Sequence, residues 1–348
     1  MNTPDDTGKP KRRVRYKGTH PKKFAEKYKE LNPDRYADDV EKIKGRGDTP
    51  VGTHRPICVT EILEILKPMA GETAVDATMG YGGHASALLE KLLPGGRLIG
   101  VEQDPVERPK TEKNLRDKCP SAASLLIAPI NFKDLRNFLQ KNDIEKVDML
   151  LADLGVSSMQ LDDPSRGFSF KIDAPLDLRM NPEVGESAAE LLSRITELEL
   201  SNILRDNADE MRANVIAKAL IKAKPKTTAQ MTTVIRKVVA GFSSRVREQE
   251  GDTPVRRAFQ ALRIAINGEL TALDQLLKDL PSLLKPKGRV VILSFHSGED
   301  RRVKKSFQAL ERSGEYSQVA PEFIRPSFDE QHSNPRSKSA KLRWAIKS

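Results

Sequence analysis

The stretch Thr73–Asp104, TAVDATMGYGGHASALLEKLLPGGRLIGVEQD, constrains the fold of this 348-residue chain more than any other. Ala74-Val75-Asp76-Ala77 reads as a buried strand that runs into a glycine turn, Gly80-Tyr81-Gly82-Gly83-His84. A helical stretch follows, with Leu88, Leu89, Leu92 and Leu93 as its apolar residues and Pro94-Gly95-Gly96 as its stop. A second strand, Arg97 to Val101, ends on the acids Glu102 and Asp104. Strand, glycine turn, helix, strand and acid in that order are the mark of a nucleotide-binding βαβ unit, and so of an α/β fold.

The chemistry of that unit narrows the ligand. Glycines at a strand end let the backbone take positive φ and let a ligand approach main-chain N–H groups. A carboxylate at the tip of the second strand can accept hydrogen bonds from both ribose hydroxyls. The dinucleotide fingerprint G-x-G-x-x-G rests a pyrophosphate on the helix N-terminus, whereas this turn is G-x-G-G-H and lacks the third glycine. Asp76 stands at the first strand's end, where it could meet a cation. S-adenosylmethionine carries a ribose, an amino acid and a sulfonium and has no phosphate, so the turn favours it over NAD. A tight turn that holds no ligand is the alternative.

A chain of this length accommodates one large α/β domain and a smaller insert. Its formal charge is +10, which suits a polyanionic partner or simply a solvated basic surface. The excess is concentrated early: Lys9 to Lys29 holds ten Lys or Arg against one acid, Glu26, with Tyr16, Phe24, Tyr28 and Tyr36 in or near it. That mixture binds RNA by phosphate contact and stacking, or serves as a solubilising tail; Pro21 to Leu31 is compatible with a short helix in either case. Two cysteines, Cys58 and Cys119, have no metal-ligand companions, so no metal site or disulfide is expected and a reducing cytoplasm is the default. No apolar run is long enough for a membrane span.

Further along, Thr60 to Leu66 reads as a helix with Thr60 as N-cap, Glu107 to Lys118 as a charged helix, and Ser124 to Ala128 as a third strand ending near Phe132. Phe132 is either core or a flank for an adenine ring. Val147 to Ala152 is a near-continuous apolar run, a strand buried on both faces. It ends at Asp153. Ligands of open α/β sheets sit beyond the carboxyl ends of strands, which places Asp153, Ser157, Ser158 and Gln160 beside the glycine turn. A long polar loop continues through Asp162, Asp163, Arg166, Asp177 and Arg179. Helical periodicity then fills 187–240, a small inserted subdomain whose basic residues face RNA or water. Thr253-Pro254 opens a long helix with one apolar stripe from Phe259 through Leu262, Ile266, Leu270, Leu273 and Leu277 to Leu280. Val290 to Phe295 is another buried strand, followed by His296-Ser297-Gly298-Glu299-Asp300. From Asn334 to Ser348 the chain carries five Lys or Arg and no acid, as a basic loop and then a last strand.

Several of these motifs occur together in one order: Gly80-Tyr81-Gly82-Gly83-His84, Asp153-Leu154-Gly155-Val156-Ser157-Ser158, Gln160-Leu161-Asp162-Asp163, Arg166-Gly167-Phe168-Ser169-Phe170, Pro175-Leu176-Asp177-Leu178-Arg179-Met180, Ser294-Phe295-His296-Ser297 and Asn334-Pro335-Arg336. The set resembles the small-subunit ribosomal RNA cytosine-N4 methyltransferase family, the MraW/RsmH type, over roughly residues 53 to 347. The resemblance implies a class I S-adenosylmethionine-dependent methyltransferase, a Rossmann-like sheet with an inserted helical domain. Its parts would be a basic, flexible extension over 1–50, a methyltransferase domain over 51–164 and 254–348, and the insert over 165–253. It also implies cofactor contacts at Gly80, Gly82, Gly83, His84, Glu102, Phe132, Asp153 and Gln160, and as substrate a cytosine of the 16S rRNA decoding centre within the small ribosomal subunit. The chain departs from the family pattern at Glu102, usually Asp, at Met159, where Pro is common, and at Gly298, usually Leu.

The groups themselves suggest a mechanism. Cytosine N4 is a poor nucleophile because its lone pair is delocalised into the ring, so positioning for in-line transfer is the main task. A polar acceptor near N4 would take the proton. Candidates are Asp153, a carboxylate or serine of the following loop such as Ser157, and His296 with Asp300 orienting it; a capping role for His296 is the alternative. Arg166, Arg179, Arg336 and Lys338 would contact RNA phosphates. Rival readings are N4 methylation of another RNA or of DNA, a NAD-dependent dehydrogenase, and a non-catalytic ribosome-assembly protein. A homodimer stays open.

Overall fold

The computed structural model describes residues 56–118, 124–242, 248 and 250–348. The expected basic extension and its short helix lie outside the described residues, as does Cys119. A sheet of seven strands organises the rest: β1 (Thr73–Asp76), β2 (Arg97–Val101), β3 (Leu125–Ala128), β4 (Val147–Asp153), β5 (Leu284–Ser294), β6 (Tyr316–Val319) and β7 (Lys341–Lys347), in the order β3-β2-β1-β4-β5-β7-β6. The first five run parallel, and β7 lies antiparallel between β5 and β6. This is the class I, Rossmann-like sheet that the resemblance implies. The chain order reverses between β1 and β4, which opens the crevice where such sheets hold ligands.

Alternation explains the burial. Val75, Ile99, Leu150, Val290 and Ile292 point to one face, where α4 (Leu135–Lys141) and α11 (Glu269–Leu283) cover them. Ala74, Leu98, Met149, Leu151, Val291 and Leu293 point to the other, under α1 (Val59–Leu66) and α2 (Gly83–Leu92). Both faces are covered, so the strands read as continuous apolar runs. The α3 helix (Arg108–Arg116) follows β2 and adds Leu115 to the second face.

The loop after β4 carries a short helix, α5 (Ser158–Asp162), and leads into the insert: α6 (Ala188–Arg194), α7 (Glu197–Ala208), α8 (Ala213–Ala223) and α9 (Thr228–Ala240). These share an apolar cluster of their own, with Leu192, Leu200, Leu204, Ile216, Leu220 and Ile235 at its centre. The expected long helix is two helices. Gly268 takes a left-handed conformation (φ 59°) and ends α10 (Thr253–Asn267) before α11 begins. The single apolar stripe is thereby divided between two cores. Phe259 and Leu262 join the insert, past the boundary expected at 253, and Leu273, Leu277 and Leu280 join the sheet.

The helix α1 corrects a smaller expectation. Its N-cap is Cys58 in a left-handed conformation, without a side-chain cap, and Thr60 lies inside the first turn. Among the described residues no helix is long and apolar enough to cross a membrane.

Candidate active site

Two carboxylates stand at the strand ends on either side of the sheet's reversal point. Asp76 ends β1 and Asp153 ends β4, the strand hydrogen-bonded beside it. Thr78 ties the two strand ends together: its N–H donates to Asp76 Oδ1 (3.1 Å), and its hydroxyl accepts from the Asp153 N–H (2.6 Å). Asp76 Oδ2 and Asp153 Oδ1 are both buried and have no hydrogen-bond partner. Burial disfavours their charged forms. It raises Asp76 to about 6, against the pull of nearby His84, and Asp153 to about 7, with repulsion from Glu299 added.

The glycine turn between β1 and α2 is built for close approach. Gly80 (φ 48°) gives its N–H to Glu102 Oε2 (2.9 Å), and Glu102 Oε1 accepts from the Asp104 N–H (2.8 Å). Burial raises Glu102 to about 7 as well. Gly82 is left-handed (φ 75°), and a Cβ there would stand 2.9 Å from Thr111. His84 is buried at the start of α2, its Nε2 2.9 Å from the Ile57 carbonyl and its Nδ1 3.7 Å from Asp153 Oδ2. Burial lowers its pKa, so the ring is held neutral between two acids.

Beyond β4, Ser157 caps α5 reciprocally with Gln160: the Gln160 N–H donates to Ser157 Oγ, and the Ser157 N–H donates to Gln160 Oε1. Ser157 Oγ also lies 3.5 Å from the Tyr81 hydroxyl. Gln160 Nε2 donates to Asp104 Oδ2 (2.8 Å), which Arg166 Nη1 also reaches at 2.8 Å. Arg166 donates further to the carbonyls of Arg179 and Met180 and is only 7% exposed. That burial overturns the expectation of a phosphate contact: the guanidinium fastens the post-β4 loop to the end of β2. Arg179 grips Asp177 with two hydrogen bonds (2.8 and 2.7 Å), Arg336 pairs with Asp162 (2.6 Å), and Lys338 is exposed.

At the end of β5, His296 sits before α12 (Ser297–Arg312) with Nε2 3.3 Å from Glu299 Oε1. Asp300, expected to orient it, instead pairs with Lys341 (3.0 Å) and Arg343 (2.6 Å) on β7. Glu299 is the carboxylate beside His296, because position i+3 turns back toward the helix N-cap while i+4 turns toward β7. Glu299 also accepts the N–H groups of Phe295 and His296 and is held below the usual carboxylate range despite its burial. Phe132, half-buried, packs against the sheet core at the start of a short 3-10 turn.

These placements bring Asp76, Glu102, Asp153 and the glycine turn to one end of the sheet, with Gln160 and His296 on the loops that follow β4 and β5. Two buried carboxylate oxygens without partners fit a ligand that carries positive charge, and Glu102 fits one with hydroxyls. Thr78, Tyr81, Asp104 and Glu299 were missed as site residues. Of these, Glu299 had a legible signal, the acid three residues after a cap.

Residues 52–348 match the sequence profile of the MraW methylase family. Ribosomal RNA small subunit methyltransferase H 2 of Alkaliphilus metalliredigens is 48% identical over 344 residues, 97% of this chain and 98% of that protein. Ribosomal RNA small subunit methyltransferase H 1 of Lachnoclostridium phytofermentans is 47% identical over 97% of this chain and 93% of its own length. The H 1 protein of Agathobacter rectalis is 44% identical over 97% of both.

Proposed function

The chain belongs to the MraW methylase family, and from that premise we propose that it methylates the exocyclic N4 of a cytosine in the decoding centre of 16S rRNA, with S-adenosylmethionine as donor. The observation that carries this reading is the pair of unpartnered carboxylate oxygens on Asp76 and Asp153 at the sheet's reversal point. Support also comes from the ordered motifs shared with the cytosine-N4 methyltransferases and from the rRNA activity in the names of the relatives.

S-adenosylmethionine, when bound, supplies a methyl group on a positively charged sulfur. Asp76 would offer a carboxylate to the donor's positive charge, Glu102 would accept from ribose hydroxyls, and Gly80, Gly82 and Gly83 would allow the backbone to approach. Phe132 would flank the adenine. Gln160 fixes the loop that closes the crevice by holding Asp104 and Ser157 at once. His84, neutral and fastened to Ile57, stands 3.7 Å from Asp153 without adding a competing charge.

Asp153 is the group that handles the proton. Its free Oδ1 accepts a hydrogen bond from the amino group, which draws the lone pair out of conjugation. A carboxylate raised to about 7 then accepts the proton at neutral pH. The target base must leave its stack to reach the crevice. Arg179, Arg336 and Lys338 hold the flanking phosphates.

The experiment is transfer of isotopically labelled methyl groups to small subunits from cells that lack this protein, with nucleoside mass analysis of the product. Label in N4-methylcytidine at one decoding-centre position is the expected result. Label in another nucleoside, or none in RNA, overturns the reading.

A further inference from the structure

Phe328 is 83% exposed, and it is the aromatic residue among the strongly exposed large apolar side chains of the described residues. Isolated exposed apolar residues are common and need no explanation alone. Phe328, however, stands on an anchored element. It opens α13 (Phe328–Ser333), which Ser327 caps by accepting from the Glu330 N–H. From the same turn Glu330 Oε1 accepts the Cys58 N–H (3.0 Å), next to Ile57, whose carbonyl meets His84. The 3-10 turn that follows, Pro335–Ser339, is tied through Arg336 to Asp162 of α5. The segment therefore joins the elements on both sides of the crevice: the cofactor turn through Cys58, and the post-β4 loop through Asp162.

The surroundings are mixed: Asp329 is exposed next to Phe328 and Glu330 is bound to the Cys58 N–H, while cations lie on the segments before and after the helix. Arg325, exposed, donates to the Lys338 carbonyl (3.1 Å) and lies 5.0 Å over the Phe323 ring, a ring that also faces Lys341 (4.9 Å) and Arg343 (5.6 Å). Asp300 balances Lys341 and Arg343. Arg325 and Lys338 are exposed, three residues before and ten residues after the exposed Phe328 in the chain. A stacking face flanked by cations is the chemistry of single-stranded RNA recognition.

We propose that Phe328 is a stacking platform for an unpaired nucleotide that flanks the methylated cytosine, with Arg325 and Lys338 on the adjoining phosphates. This deepens the RNA-methylating reading and rests on it. The platform holds a neighbouring base fixed while the target base is displaced, so it acts on substrate binding and leaves the transfer step alone.

The test uses the full chain with Phe328→Ala, Phe328→Leu and Phe328→Trp, measured on small subunits that lack the modification. The Ala and Leu variants are expected to raise KM about five- to hundredfold, with kcat and the cofactor-induced rise in Tm unchanged. The Trp variant keeps the native KM, and its added fluorescence, read against the native chain with Trp344 alone, is quenched by RNA. A native KM in the Ala variant, or a Leu variant as good as Trp, overturns the platform. The two readings fail separately. A native chain that transfers no methyl to RNA overturns the function, while an unquenched Trp variant titrated with single-stranded RNA overturns the platform.

Discussion

Asp153 and His296 are two of the candidates for taking the proton, and the Glu299 carboxylate beside the histidine distinguishes their surroundings. The histidine stands 3.3 Å from Glu299, a carboxylate that accepts two further backbone N–H groups. Those backbone bonds close the β5–α12 turn, while both ring nitrogens of His296 are buried beside the Glu299 carboxylate without a hydrogen-bond partner. Asp153 has a buried oxygen with no partner and is raised to about 7, so it changes charge where the enzyme works. Replacing Asp153 with Asn keeps the shape and the Thr78 bond and removes the base. Single-turnover transfer at saturating cofactor and RNA is expected to fall about 10²- to 10⁴-fold. In the native enzyme kcat/KM should rise with pH through an apparent pKa near 7, and the Asn variant should lose that limb. A His296→Asn variant that loses the limb while Asp153→Asn retains it would exchange the two roles.

Asp104, Gln160 and Arg166 form an element-scale device, since they fasten the loop after β4 to the tip of β2. Asp104 is fully buried and takes hydrogen bonds from both side chains at 2.8 Å. Removing the cation leaves a buried carboxylate without its charge partner, so Arg166→Ala should cost about 3–5 kcal/mol of stability in urea unfolding. The salt slope of RNA binding by the folded fraction should not change, whereas Lys338→Ala should reduce it by about 1. Neither partner announced this pairing in the sequence. They are 62 positions apart, and one-dimensional spacing carries no record of a contact between a strand tip and a later loop. Local features were legible. The strand β2, the helix α2 and the apolar β4 follow from period and punctuation, and the glycine turn from its own residues. The break at Gly268 was legible too, because Asn267-Gly268 is a helix C-terminus. The apolar stripe masks it by carrying straight on through, serving one core before the break and another after.

At the scale of the whole molecule, the crevice concentrates buried acid at a cost to the free protein. Glu102 and Asp153 both stand near 7 in the folded state, far above their unfolded values. A carboxylate raised on folding contributes stability that is fully present below its unfolded pKa and is lost as pH climbs through the folded one, because the native state holds the extra proton. His84 works in the opposite sense. Its pKa is lowered, so it destabilises the fold only as pH drops below the ordinary histidine range. Asp76, raised to about 6, also titrates mostly in that lower region. Between pH 6.5 and 8, then, the two acids near 7 dominate, and the unliganded chain should lose stability across that interval. A positively charged donor reverses the trend, since it favours the ionised carboxylates that burial disfavours. The cofactor-induced rise in Tm at fixed concentration should therefore be larger at pH 8 than at pH 6.5, while the Tm of the free chain is lower. Thermal unfolding at both pH values, with and without S-adenosylmethionine, checks the two signs together. A free chain that grows more stable over this interval would mean that the acids are already ionised and partnered, and a flat cofactor response would place the donor's charge away from them.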